Sequence, residues 1–417
     1  MRVIADLHIH SRFAMACSKN ITIHGLDEAA AMKGIKVLGT GDFTHSQWLA
    51  EMKAVLEDDG NGVYKVSGSK SGVRFIPSTE VSTVYEKGGK FRKIHTCILS
   101  SSIEAAEVIN DSIKDSGKLD SDGRPTLSIS AAELLDKIFK SDGKAFVFPA
   151  HVWTPYFGVF GSISGFDTME AAYEDNTKRI FALETGLSSD TLMNWRISSL
   201  DRYALISNSD MHSLQKMGRE ANIFDFGDTP VSYSSLTDAL IKKDERFVGT
   251  IEFYPEEGKY HYDGHGRCGF SVNPETSKIT RCPKCGKPLV VGVLHRVDNL
   301  ADRPSGYKPK GHKDYSYLVP LIEIISHATH RSEYSPSTRE IYSNMLSSLG
   351  AEFKILQSAP IQEIAKHSTP EIAECVKSVR EGNITIKPGY DGVFGEIDFM
   401  GRPFEEPRNR QKSIADF

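Results

Sequence analysis

The chain has 417 residues, a formal net charge of −5, 39% hydrophobic and 25% charged residues. That length suits a barrel of about 250 residues plus smaller domains. It holds no apolar run near the roughly 20 residues of a membrane span. The acid excess excludes a protein that coats nucleic acid along its whole surface, though a local basic face stays open.

Six cysteines are too few, and too clustered, for a disulfide framework in a chain of this size. Met1 is followed by a charged residue and a strand, without a signal-peptide pattern. An intracellular, cytoplasmic protein with no membrane partner is expected.

The first predicted element is a short strand at 3–5, which runs into Asp6-Leu-His8-Ile-His10. Further strands are expected at 37–39, 74–76, 95–99, 145–148, 182–184 and 205–207. Helix-like stretches such as 26–33, 131–139 and 189–199 lie between them. Alternation of this kind predicts an α/β fold with a parallel sheet. Segments 60–72 and 115–125, rich in Gly, Ser, Lys and Asp, read as loops.

The chemistry-bearing residues fall at strand ends: His8 and His10, then Asp42 and His45, Glu80, His95, His151, and Asn208-Ser-Asp210-Met-His212. Residues two apart on a strand share a side, so His8 and His10 can grip one ion, and Asp210 and His212 repeat that spacing. Strands of a parallel barrel present their C-terminal ends on one active face. Imidazole with carboxylate suits zinc, manganese or iron. More donors than one ion needs implies two or three divalent ions, zinc with magnesium or manganese as further occupants. Such a centre clamps a phosphate displacement.

After a strand at 247–254 comes His265-Gly-Arg-Cys268, then Cys282-Pro-Lys-Cys285. Two such short pairs complete a tetrahedral structural zinc site, with His261 an alternative to His265. Between 278 and 313 there are nine Lys or Arg against two acids, a phosphate-contacting surface with Arg296 and Arg303 as leading candidates. Helices are expected at 315–329, 336–349, 361–366 and 370–381, then short strands at 384–387 and 393–399. The divisions are 1–254, 255–300 for the zinc module, 301–400 for a mostly helical C-terminal domain, and 401–417 for a tail. That tail ends Gln411-Lys-Ser-Ile414-Ala-Asp-Phe417. It resembles the sliding-clamp binding motif, one helical turn that offers Ile414 and Phe417 to an apolar pocket.

The order HxH, Asp, Glu, His, His, DxH resembles the polymerase-and-histidinol-phosphatase (PHP) superfamily. The resemblance implies a distorted (β/α)7 barrel and metal roles for His8, His10, Glu80, His95, His151, Asp210 and His212, with Glu80 bridging. A third ion would fall to Asp42, His45 and His212. Two departures lie there: no His occurs between Ser11 and Lys19, and Phe43 rather than His follows Asp42.

With the zinc module, His151-Val-Trp-Thr-Pro, Leu183-Glu-Thr-Gly-Leu-Ser188 and Val293-Leu-His-Arg-Val, nearly the whole chain resembles the endonuclease Q family. That implies a DNA repair endonuclease acting 5′ to deaminated bases (uracil, hypoxanthine, xanthine) and abasic sites by a multinuclear metal mechanism. Its partners would be damaged duplex or single-stranded DNA and a sliding clamp, with Asp210, Glu80 and His8 catalytic.

Deamination turns a donor into an acceptor, and a flipped base can be read by donors. Ser188 and Asn208 are the expected base readers. Trp153 and Tyr156, just past His151, are expected to stack on DNA. Competing readings are a small-molecule phosphatase of the histidinol-phosphatase type and a non-catalytic DNA-binding or clamp-associated protein.

Overall fold

The structure is a computed structural model that describes residues 2–402 and 404. The clamp-like residues Gln411, Ile414 and Phe417 lie outside the described residues.

The strands are β1 (Arg2–Asp6), β2 (Val37–Gly39), β3 (Leu56–Asp58), β4 (Tyr64–Val66), β5 (Arg74–Ile76), β6 (Ser78–Lys87), β7 (Lys90–Leu99), β8 (Thr126–Leu127) and β9 (Phe146–Pro149). They continue as β10 (Ala182–Glu184), β11 (Ala204–Ile206), β12 (Ala221–Asp225), β13 (Phe247–Glu252), β14 (Asp263–His265), β15 (Phe270–Val272) and β16 (Asp314–Tyr317). Among them runs an eight-stranded sheet, ordered β16-β13-β12-β1-β2-β5-β4-β3. A four-stranded sheet, β8-β6-β7-β9, and a parallel pair, β10-β11, stand beside it.

The α/β expectation holds, with β1, β2 and β5 parallel. Among the described residues these ladders do not join into one closed barrel. Backbone hydrogen bonds past the strand ends cross two of the gaps. Asp210 N donates to His8 O at 3.0 Å and His10 N to Met211 O at 3.2 Å beyond β1 and β11, and Val152 N donates to Glu184 O at 3.0 Å between β9 and β10.

Alternation along the strands explains the core. Val3, Ala5 and Leu7 of the first segment join Leu99, Phe146, Phe148, Ala182, Ala204 and Ile206 in one buried cluster. Neighbouring strand positions such as Leu38, Phe75, Ile98, Val147 and Leu183 pack in a second cluster with the helices.

The C-terminal region is helical where the periodicity predicts it, with helices Pro336–Leu349, Ile361–His367 and Pro370–Glu381. The last starts on Thr369, whose hydroxyl accepts from Ile372 N, has Pro at its first turn, and ends on left-handed Gly382. A buried pair, Lys33 Nζ to Glu352 Oε2 at 2.8 Å, ties it to the first helix, Ile23–Lys33.

Three expectations change. The stretch 315–329 is β16 followed by helix Leu321–Thr329, because Pro320 cannot continue a helix and Tyr315 and Tyr317 suit a strand. Part of segment 60–72 is the strand β4, paired with β3. The strand expected at 95–99 is the end of the long β6-β7 hairpin, turned at Gly88-Gly89, both with positive φ.

Candidate functional site

The site forms just past the ends of β1, β9 and β11 and on the paired strands β6 and β7. Glu80 is its hub. Its Oε2 lies 3.1 Å from His10 Nε2 and 3.5 Å from His8 Nε2. Its Oε1 lies 2.7 Å from His95 Nδ1 and 3.0 Å from His151 Nε2. Asp210 Oδ1 closes the first side, 3.1 Å from His10 Nε2 and 3.7 Å from His8 Nε2. Two donor groups result, His8-His10-Glu80-Asp210 and Glu80-His95-His151, each with donor atoms within 4.8 Å of one another. One carboxylate belongs to both.

Backbone strain marks the same place. Asp42, His151 and Asp210 have φ of 48°, 30° and 45°, a region that L-residues other than Asn and Asp rarely enter. Their surroundings hold them there. His151 N donates to Glu184 Oε2 at 2.8 Å, and Arg219 donates to Ser209 O and Asp210 O at 2.8 and 3.2 Å.

Three of the four imidazoles are oriented from behind. His8 Nδ1 donates to Glu184, 3.0 Å from both oxygens. His10 Nδ1 donates to Asp42 Oδ1 at 2.9 Å, and His151 Nδ1 to Thr154 Oγ1 at 3.0 Å. A proton fixed on Nδ1 leaves the Nε2 lone pair pointing inward, the usual support for a metal-ligating His.

The donor set fits divalent ions. His8 Nε2, His10 Nε2 and Asp210 Oδ1 are buried, converge, and have no hydrogen-bond partner, which is costly unless a cation meets them. Burial disfavours an imidazolium at His8 and His10, but the carboxylates Asp42, Glu80 and Glu184 around them outweigh it and raise both well above the ordinary range, an excess of negative charge that a metal ion at Nε2 would meet in place of the proton. Burial also works against ionised Glu80, yet His95, Arg124 and His8 hold it well below the usual carboxylate range. His95 goes the other way, pushed by burial down to about 4.

The third expected group does not assemble among the described residues. Asp42 is engaged by His10 Nδ1 and by Ser11 N at 2.6 Å. His45 stacks on Phe13 with centroids 4.1 Å apart. His212 remains near, its ring 4.9 Å from that of His10.

The other expected residues are placed as follows. His265, Cys268, Cys282 and Cys285 form a third donor group, built on the β14-β15 hairpin and its flank. His261 is buried outside it. Trp153, expected to meet DNA, is instead fully buried, its indole N–H donating to Asn194 Oδ1 at 2.9 Å. Tyr156 is exposed.

Asn208, expected to read a base, is fully buried. Its amide donates to Glu184 Oε1 at 2.9 Å, while its oxygen accepts from Leu7 N at 2.8 Å and Asn222 Nδ2 at 2.9 Å. Both ends of the amide are occupied, so it positions Glu184. Ser188 lies nearly buried on the turn after β10. Arg296 ties Phe160 O and Asp167, and Arg303 ties Trp195 O and Asp201. Their forks brace loops, which explains why the basic stretch overstates the charge open to phosphate.

Sequence reasoning missed Glu184 and Arg124. Glu184 ends a strand, as the other site acids do, and that position was its signal. Arg124, whose Nη1 donates to Glu80 Oε2 at 3.2 Å, sits in a polar loop whose path no periodicity reveals.

The model of the family described as the MJ0043 C-terminal domain matches residues 320–383. The uncharacterized protein MJ0043 of Methanocaldococcus jannaschii is 30% identical over 260 residues, 61% of this chain and 32% of that protein. The chain thus spans about a third of that relative's length. Two solved structures match nearly end to end. One is the lesion-specific endonuclease PfuEndoQ from Pyrococcus furiosus, with TM-score 0.83, 29% identity, and 95% of each chain covered. The other is endonuclease Q in complex with a 27-mer duplex that carries an abasic lesion at the active site, with TM-score 0.83, 30% identity, 95% of this chain and 96% of that one. On likeness of this extent, 30% identity over 95% of this chain and 96% of the other, the chain belongs to the endonuclease Q family.

Proposed function

We propose that the protein is a DNA repair endonuclease. It hydrolyses the phosphodiester bond 5′ to deaminated bases (uracil, hypoxanthine, xanthine) and abasic sites. The observation that carries this reading is Glu80 shared between two convergent donor groups, in a chain that matches an endonuclease Q bound to lesion-bearing duplex over 95% of its length. The strand ends read as the active face of an opened PHP-type barrel.

His8, His10, Glu80 and Asp210 would hold one divalent ion, and Glu80, His95 and His151 a second. Ions there supply positive charge for the transition state of an in-line displacement at phosphorus and acidity for the attacking water.

The chain's own groups do the rest. Glu184, Asp42 and Thr154 keep the imidazole lone pairs turned inward. Asn208 keeps Glu184 turned toward His8. The fully buried hub excludes bulk water from Glu80 and His10, so charge there acts in a low-dielectric setting. Ser188 and Tyr156 lie near enough in sequence to site residues to face a lesion. His265, Cys268, Cys282 and Cys285 form a closed set with no open position, which suits structural zinc. Gln411, Ile414 and Phe417 would dock a sliding clamp.

The test is a nicking assay. Full-length metal-loaded protein is given end-labelled duplexes with one uracil, hypoxanthine, xanthine or abasic site, or no lesion. A single cut 5′ of the lesion is expected, absent from the control and lost in His8→Ala. Turnover of a small phosphate ester with no nick on any duplex would move the barrel to the histidinol-phosphatase class.

A further inference from the structure

The metal groups are closed off almost entirely. The side chains of His8, His10, Glu80 and His95 are at most 3% exposed. The more exposed charged or imidazole side chains around the centre are Asp210 at 24%, His212 at 33% and Arg124 at 25%, against 9% for His151. Of these, Arg124 is the one permanent cation.

Arg124 is held rigidly there. Asp122 Oδ1 accepts from Arg124 N at 3.0 Å and from Met15 N at 3.1 Å. Gly123 N donates to Phe13 O at 3.2 Å. A Cβ on Gly123 would stand 2.3 Å from Asp42 Oδ2, so only glycine lets this loop press against the acid that orients His10. The guanidinium therefore shares one wall with the metal ligands.

Glu80 does not need Arg124 to stay in place. Its two oxygens already face four imidazoles. Ions in the two donor groups would compete with Arg124 for Glu80 by direct binding and by like-charge repulsion. The freed fork would face whatever anion enters the centre, and a guanidinium fork matches the oxygens of a phosphate.

We propose that Arg124 is the anchor for a non-bridging oxygen of the scissile phosphate. The proposal rests on the phosphodiesterase reading above. Glu80 and the DNA phosphate are alternative partners of the same guanidinium, and the exchange sets the phosphorus over the two donor groups. Arg124 is then a catalytic residue in contact with substrate.

The test uses full-length metal-loaded protein, with metal content checked in each variant. Inorganic phosphate binding is measured by calorimetry for wild type, Arg124→Gln and Arg124→Lys. Loss of a charged hydrogen bond predicts affinity lower by about 10-fold to 100-fold in Arg124→Gln, with Arg124→Lys between.

Single-turnover nicking is then compared on abasic duplexes whose scissile linkage is phosphate or either phosphorothioate diastereomer. In wild type one diastereomer is slowed more than the other, and in Arg124→Gln that difference collapses. Unchanged phosphate affinity with the difference intact, or loss of metal from Arg124→Gln, overturns the proposal in favour of a mere brace on Glu80. Phosphate binding that depends on Arg124, with no nick on any duplex, keeps the anchor and removes the nuclease reading.

Discussion

Glu184 holds His8 with both carboxylate oxygens 3.0 Å from Nδ1, and Asn208 in turn holds Glu184 at 2.9 Å. Neither acid nor amide belongs to a donor group, yet together they decide which nitrogen of His8 faces the centre. Removing such support typically costs about 10-fold to 100-fold in metal affinity. Glu184→Gln should therefore bind metal more weakly by that factor while circular dichroism stays native. Metal titration followed by mass spectrometry of the bound ions checks this. An unchanged titration would show that the imidazole is held by packing alone.

Cys282 is the buried member of the Cys/His group. Cys282→Ser should release one zinc per chain in a colorimetric chelator assay. The donor groups at Glu80 should keep their ions, because they share no residue with this one. Retention of that zinc in the Ser variant would exclude Cys282 as a required ligand.

Glu252 is fully buried beneath the site, with hydroxyl donors from Thr250, Thr191 and Thr185 at 2.5, 2.7 and 3.2 Å. Burial outweighs them and raises its carboxyl from 4.5 to about 7. The folded protein thus keeps a proton that the unfolded chain releases at lower pH. The sign follows: this stability is present below pH 4.5 and is lost as pH rises through about 7. A shift of that size corresponds to roughly 3 kcal/mol. Glu252→Gln carries no titrating proton, so its urea midpoint should fall less than that of wild type between pH 5 and 8. Parallel profiles would mean that Glu252 ionises normally.

Glu352 accepts from buried Lys33, from Leu321 N at 2.9 Å and from Tyr342 Oη at 2.6 Å. Glu352→Ala leaves Lys33 buried without a counter-charge, a loss on the order of 3–5 kcal/mol. Thermal unfolding should begin earlier in the variant. The double variant Lys33→Met, Glu352→Leu should recover much of the difference, because replacing both partners removes the stranded charge.

Much of the site was legible because ligands at strand ends are a local pattern. His8 and His10 follow the end of β1 by two and four positions, Asp210 follows that of β11 by four, and His151 follows that of β9 by two. Spacing alone placed them together. Glu80 and His95 were legible as residue types, but the hairpin that carries them was not. Lys87 to Lys93 is polar and hides the continuity of β6 and β7.

Partner choice was not legible at all. Asn208 and Arg296 have the right chemistry to meet DNA, and the fold gives their donors to Glu184 and to loop carbonyls instead. Arg124 shows the reverse, a loop residue brought to the centre by a glycine that lets two segments touch. Such pairings depend on long-range packing, which no window of sequence contains.

Asp42, His151 and Asp210 keep a left-handed backbone at the centre. Glycine would adopt that geometry without strain, and asparagine with little. Those substitutions would relax the fold while stripping the side chains that orient or bind an ion. Backbone ease and the side chains of the centre thus make opposite demands at these three positions. A chain with glycine at all three would spare its backbone that strain and leave the centre without the groups that hold an ion.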